Sequence, residues 1–374
     1  MRTEPSSLLA SIPLAALLLG PATGTAQERA YPPLAPLPPV AAPADNPTTA
    51  AKVALGKVLF WDGRLSGNGQ MSCVACHRPE LGWGTGTPIS FGYPGTQHWR
   101  NSQTILNSAY YNKLFWDGAV TSLEAQAPSA AEGGVAGNGD SALMEMRLRV
   151  VPAYRQAFKD VFGTDWPHLN DAWKAIAAFQ RTIVSDPKKI PFDRYAAGDR
   201  GALSDSAKRG LALFEGKAGC IACHNGPLAS DQKFHDTGVP EAPEFSSDPL
   251  FQVTFRWEVY QKGVDEKFYR AADRDHGLYY RTLDPADIGK FRTPSLRELK
   301  YTQPYMHNGA LATLADVVDF YDKGGGPRKT SGLLKPLNLG AQEKRDLIAF
   351  LESLSMDEPL LMGDPELPPS KPLE

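Results

Sequence analysis

The sequence predicts a mainly α protein in two similar halves joined by long loops. Three observations carry this. Strand signals are sparse, whereas apolar residues recur at helical spacing, as in Leu347, Phe350, Leu351 and Leu354. Glycine- and proline-rich stretches such as Gly82 to Gly95 and Gly324 to Pro327 read as loops. The pattern of Ala54-Leu55-Gly56-Lys57-Val58-Leu59-Phe60 returns as Ala207-Lys208-Arg209-Gly210-Leu211-Ala212-Leu213-Phe214, each followed by a cysteine pair.

In chain order, Arg2 and the apolar run Leu8 to Gly20 read as an export signal, residues 1–26, cleaved near Ala26. The run is short for a bilayer span, and no later segment is long and apolar enough for one. An exported, periplasmic protein is expected, with no membrane span after signal removal. Residues 27–46 are proline-rich and favour an extended tether. Asn46 with Pro47 starts the first helix, and Ser204 caps the helix before the second cysteine pair. Ala142 to Phe162 and Asp171 to Val184 are also helical. A boundary within Ser185 to Gly201 divides an N-terminal domain (47–190) from a C-terminal one (191–374). At 374 residues, 42% hydrophobic, the chain is long enough for two cores. A net charge of −3 offers no field for a polyanion, which excludes nucleic acid as a partner class.

The four cysteines fall as Cys73-Val74-Ala75-Cys76-His77 and Cys220-Ile221-Ala222-Cys223-His224. Disulfides, a thiol-redox pair or a zinc site can each use two such pairs. None of them requires a histidine after both second cysteines. Covalent c-type haem does: two thiols form thioethers along one haem edge and the next residue supplies the axial imidazole. The prediction is therefore two cytochrome c-like domains, each binding one c-type haem, with His77 and His224 as iron ligands.

Further segments resemble a family. Gly56 to Phe60, Arg64-Leu65-Ser66, Arg100-Asn101, Phe115-Trp116-Asp117-Gly118, Phe291 to Arg297, Pro304-Tyr305-Met306-His307 and Phe350-Leu351 are similar to the bacterial di-haem cytochrome c peroxidases and their relative MauG. The resemblance runs from about Thr48 to Ser355. It implies a peroxide-reactive haem in the N-terminal domain and an electron-transfer haem in the C-terminal one.

It also implies roles residue by residue. The peroxidases place methionine fourteen residues after the histidine of the Pro-Tyr-x-His segment, as second ligand of the C-terminal haem. MauG-like proteins, MbnH among them, place tyrosine. Here that position is Tyr321, on the helix face of Leu314, Val317 and Val318; spacing alone would read it as a core tyrosine. A phenolate favours ferric or higher iron states, a thioether the ferrous one. Trp116 matches a tryptophan between the haems, with plain packing as the other reading. Asn101, Thr302 and Pro304 match a calcium site. Gln126 matches a peroxide-pocket glutamine, but ten residues on stands Ala136 instead of glutamate. Glu132 either takes that proton-moving role or is a surface carboxylate. His98 is out of register for a distal ligand, so the first haem is expected to keep an open sixth position, and His98 to be a pocket or surface residue. The stretch 243–272 is longer than the family norm and aromatic-rich, either an extra packed element or a docking surface.

The resemblance implies an enzyme that uses hydrogen peroxide to reach a high-valent di-haem state, which oxidises a tryptophan or tyrosine of a periplasmic protein substrate. One alternative is a cytochrome c peroxidase with a small redox-protein donor. The other is a non-enzymatic di-haem electron carrier.

Overall fold

The protein is mainly helical. The structure, a computed structural model, describes residues 31–369; the expected export signal lies outside the described residues. The helices are α1 (Ala50–Trp61), α2 (Leu123–Ala131), α3 (Ser141–Arg149), α4 (Pro152–Phe162), α5 (Leu169–Gln180), α6 (Pro191–Ala196) and α7 (Asp205–Glu215). They continue with α8 (Glu244–Ser247), α9 (Pro249–Gln261), α10 (Glu266–Ala271), α11 (Tyr279–Thr282), α12 (Leu314–Asp322) and α13 (Ala341–Glu352). Two short strands, β1 (Phe234–His235) and β2 (Phe291–Arg292), pair antiparallel.

Local chemistry explains where helices begin and break. Ser204 caps α7 as expected, accepting from the Ala207 N–H. The cap of α1 is Thr49, which accepts from Lys52 N–H, and not the Asn46 signal. Asn46 is buried instead and donates to Glu124 Oε1 (2.7 Å) and the Lys174 carbonyl (3.0 Å). The single helix expected over 142–162 is two. Pro152 has no N–H to give, holds Val151 in extended backbone (φ −98°, ψ 111°), and restarts the chain as the first residue of α4. Helix α5 begins at Leu169 and stops at Gln180, short of Val184.

The repeated sequence pattern recurs as a repeated packing. Helix α1 crosses α5 at Gly56, where an added Cβ would stand 1.9 Å from the Ala175 carbonyl oxygen. Helix α7 crosses α13 at Gly210, where an added Cβ would stand 1.9 Å from the Asp346 carbonyl oxygen. One turn later Phe60 meets Phe179 (5.5 Å between centroids) and Phe214 meets Phe350 (5.1 Å). Each crossing seeds its own core, one around Leu59, Phe60, Phe158 and Phe179, the other around Ile190, Phe214, Val318 and Phe350.

Extended arms tie the two cores together. The proline-rich stretch 31–46 has no helix or strand, as its prolines require, yet it is packed down and does not hang as a free tether. Leu34 and Leu37 are buried, Leu34 in the second core. Arg297 donates to the Ala35 carbonyl (2.7 Å) and Tyr110 to the Pro38 carbonyl (2.7 Å). Beyond α13 the chain runs back, and Leu360 and Met362 pack on the first core, where Trp83 Nε1 donates to the Leu360 carbonyl (2.8 Å).

The aromatic-rich stretch 243–272 folds as α8 to α10 and makes a third core. Phe245, Phe251, Phe255 and Val259 pack with Trp99, Val135 and Tyr280. Among the described residues no helix is long and apolar enough to cross a membrane.

Candidate haem sites

Both cysteine motifs adopt the same short turn, Cys73–Ala75 and Cys220–Ala222. The His77 N–H donates to the Cys73 carbonyl (3.1 Å) and the His224 N–H to the Cys220 carbonyl (2.9 Å). The rings are oriented alike. His77 Nδ1 lies 3.1 Å from the Trp83 carbonyl, and His224 Nδ1 lies 3.1 Å from the Ala229 carbonyl. A carbonyl only accepts, so each ring proton sits on Nδ1 and Nε2 keeps its lone pair for a metal. Burial lowers the pKa of both imidazoles, His224 to about 4, which keeps them in the neutral, ligating form.

The thiols do not suit the competing chemistries. None is paired in a disulfide. Burial pushes Cys73 and Cys220 up to about 12, away from the activated thiolate of a thiol-redox site. The two pairs do not converge either. Among the described residues, the one cluster of three potential ligand side chains is Cys223, Asp231 and His235.

Cys73, Cys76 and His77 open onto a cavity of about 430 Å³, the size of a small-ligand or cofactor site. Ser108 Oγ, Asp117 Oδ1 and Gln180 Oε1, on residues of its wall, are buried without hydrogen-bond partners. Buried polar atoms are seldom left so: Ser108 Oγ can donate to a haem propionate, while the Asp117 and Gln180 oxygens only accept and call for water or another donor in the cavity. The residues fit a haem. At the second motif the matching observation is Tyr321. Its phenol is half-buried beside Cys220 and Cys223, desolvation raises its pKa, and its hydroxyl bonds to no described residue. An iron held by His224 would give that hydroxyl a partner.

The other expected residues divide. Trp116 lines the first cavity, donates from Nε1 to the Asn101 carbonyl (2.9 Å), and accepts at its carbonyl from the Arg292 N–H of β2 (2.9 Å). The next residue, Thr293, accepts from Ser230, six residues after His224 (2.7 Å). Trp116 is thus bonded to the segment that leads to the second motif. Asn101 N–H donates to the His307 carbonyl (2.8 Å) and its amide to the Thr87 carbonyl (2.8 Å), which joins its loop to the 302–307 turn.

Gln126 lines the cavity, with Oε1 3.5 Å from Gln180 Nε2. Glu132 does not. It caps the end of α2, is exposed, and accepts from Ser141 Oγ (2.7 Å) beside a separate hollow, which corrects its expected role in the peroxide pocket. His98 is a cavity residue. Its Nδ1 accepts the Arg100 N–H (3.0 Å), so its ring proton sits on Nε2 and no lone pair there faces a metal.

Sequence reasoning missed an ionic wall, because its members are far apart in the chain. Arg100 pairs with Asp275 (Nη2 to Oδ1 3.0 Å) and Asp117 (3.0 Å), and Arg281 also reaches Asp117 (3.1 Å). Burial alone would raise both carboxyls, but the Arg100 guanidinium outweighs it and holds them below the usual carboxylate range. Their stabilising contribution is present above that range and lost as pH falls through the lowered values. Asp275→Asn leaves Arg100 with one carboxylate in a buried site. It is expected to cost about 3 kcal/mol, read as a lower urea midpoint; an unchanged midpoint would contradict the pairing. Glu258 of α9 and Lys262 at its C-terminal cap join the same cavity wall.

The model of the di-haem cytochrome c peroxidase family matches residues 50–201. The chain is 69% identical to "Cytochrome-c peroxidase IdrP1" of Pseudomonas sp. (strain SCT), over 91% of this chain and 90% of that one. It is 39% identical to "Methylamine utilization protein MauG" of Methylorubrum extorquens, over 87% and 84%. Among solved structures, a MauG-like protein associated with microbial copper homeostasis superposes with a TM-score of 0.71 at 33% identity, covering 86% of this chain and 94% of that one.

Proposed function

This chain belongs to the di-haem cytochrome c peroxidase family, and on that premise we propose that it reduces hydrogen peroxide at the His77 cavity with electrons from an exported redox protein. The family carries two haem groups, which when bound supply the peroxide-reducing centre and the electron store. Cys73, Cys76 and His77 would hold the first. Cys220, Cys223, His224 and Tyr321 would hold the second. Asn101, Thr302 and Pro304 would hold calcium between the two sites. The export signal at 1–26 would place the protein in the periplasm.

One observation carries the reading, the asymmetry of the two sites. Around His77 stand a roomy cavity and a His98 that keeps its proton on Nε2. Beside the second cysteine pair stands the half-buried phenol of Tyr321, whose hydroxyl bonds to no described residue. The first arrangement suits entry of a small oxidant, and the second suits an electron store that His224 and Tyr321 would hold. The name of the 69%-identical relative supports the peroxidase side of the reading.

Each group of the chain has a task. His77 and His224 are fixed in the ligating tautomer by Trp83 and Ala229. Gln126 presents an amide to whatever enters the cavity. Trp116 bridges the cavity and β2 and would carry electrons between the sites. Trp116→Phe is expected to slow turnover with an outside donor by roughly tenfold or more while leaving both haem spectra intact; an unchanged rate makes the indole a packing residue only.

The test of the function is hydrogen peroxide added to the fully ferric protein, with and without a reduced small cytochrome. Direct reaction, followed by oxidation of two cytochromes per peroxide, is expected. No peroxide reaction in either redox state overturns the proposal. Tyr321 also favours a second reading, oxidation of a partner's tryptophan or tyrosine as in the MauG-like proteins. Its mark would be peroxide consumption coupled to a mass change in the partner without cytochrome turnover.

A further inference from the structure

We propose that Glu258, delivered by α9, is the acid–base residue of the His77 cavity; this rests on the peroxide reading above. Reduction of peroxide needs a group that takes a proton from one oxygen and returns it to the other. Glu132 faces Ser141, and Ala136 at the wall has nothing to offer. Among the described residues, the carboxylates lining the cavity are Asp117 and Glu258.

Asp117 also keeps one oxygen, Oδ1, without a partner, but it is held as the carboxylate by two arginines. Its Oδ2 is shared by Arg100 and Arg281, and those cations disfavour its protonation. His98 is equally constrained. Its one free acceptor nitrogen is taken by the Arg100 N–H, and a second ring proton would make a cation next to Arg100 and Lys262.

Glu258 is placed differently. Helix α9 is anchored by Phe251, Phe255 and Val259 in the third core, so the carboxylate stands on a rigid element. Its neighbour Trp257 lies over Gly134, where an added Cβ would be 2.4 Å from the indole ring and 3.7 Å from Glu258 Oε1. The carboxylate therefore reaches the same 133–137 strip that contains Ala136, and the missing side chain at Gly134 makes room for the Trp257 ring beside it. Oε2 lies 3.5 Å from Lys262 Nζ, while Oε1 bonds to no described residue. One oxygen is held by an ammonium and the other is free to exchange a proton.

The step balances. Glu258 takes the proton of the inner oxygen and gives it to the outer one, the O–O bond breaks, and the outer oxygen leaves as water. Two electrons from the donor and two solvent protons convert the remaining oxygen to the second water. Peroxide is reduced and the donor oxidised.

The test uses the full-length holoprotein with Glu258→Gln and Glu258→Asp. Glu258→Gln should slow the peroxide reaction about 10²-fold or more and abolish the acid limb of its pH profile. Equilibrium cyanide binding gives a readout apart from turnover, because hydrogen cyanide must surrender a proton to a cavity base. Affinity should fall about tenfold or more and its pH dependence should change. Glu258→Asp keeps the charge beside Lys262, and should show a smaller loss of both quantities if the glutamine variant fails to load haem. Unchanged peroxide rate and cyanide affinity in a variant with wild-type haem spectra overturn the proposal. If the wild-type protein ignores peroxide, the function proposed above fails, yet the cyanide comparison still reads Glu258.

Discussion

Replacing Tyr321 with methionine is expected to raise the reduction potential of the second haem by roughly 300 mV, within the ~0.8 V range that axial ligands span. A thioether stabilises ferrous iron and a phenolate ferric iron. The variant's ferric form should then stop reacting directly with peroxide and need one-electron reduction first. Spectroelectrochemical titration and rapid mixing with peroxide would measure both effects. The geometry behind this is a half-buried phenol beside Cys220 and Cys223 whose hydroxyl bonds to no other described residue. A variant whose potential and peroxide reactivity match the wild type would remove Tyr321 from the iron and return it to the core.

Gly56→Ala and Gly210→Ala should each destabilise the protein by about 3 kcal/mol, the upper part of the range for overpacking. The added carbon would stand 1.9 Å from a carbonyl oxygen of the facing helix in both cases. Backbone cannot rotate away as a side chain can, so the helices must separate and loosen the Phe60–Phe179 or Phe214–Phe350 contact. Gly332→Ala is the control, since nothing lies within 4 Å of its added Cβ; its effect should stay within about 0.5 kcal/mol. Urea midpoints of the haem-loaded variants provide the comparison. Equal midpoints for all three would mean that the crossings are not tight.

Much of the candidate site was legible because it is local. Two cysteines and a histidine within five positions declare a haem loop wherever they fall, and the turn that forms from them is short-range. Tyr321 was legible through its register with a known segment. Glu132 misled because spacing says nothing of which way a helix C-terminus turns its last side chain; here it turned to Ser141. The break at Val151 was written in Pro152 but was overrun by the apolar periodicity on both sides. The arm 31–46 was rightly extended, yet its burial depended on Arg297 and Tyr110, residues that no local window contains.

The sequence by itself determined the cofactor chemistry, the helical class, the duplicated helix-and-loop unit and the phenol at position 321. Each of these depends on residues close in the chain or on a repeated pattern. The tertiary structure alone decided the Arg100–Asp275–Asp117 cluster, the packing of both arms, and the arrival of Glu258 and Lys262 at the His77 cavity. Those groups come from segments separated by more than a hundred residues. Glu258 and Lys262 reach the cavity because α9 buries its aromatic face against Trp99 and Val135, and the burial of that face, which propensity and spacing do not encode, sets where its charged residues point.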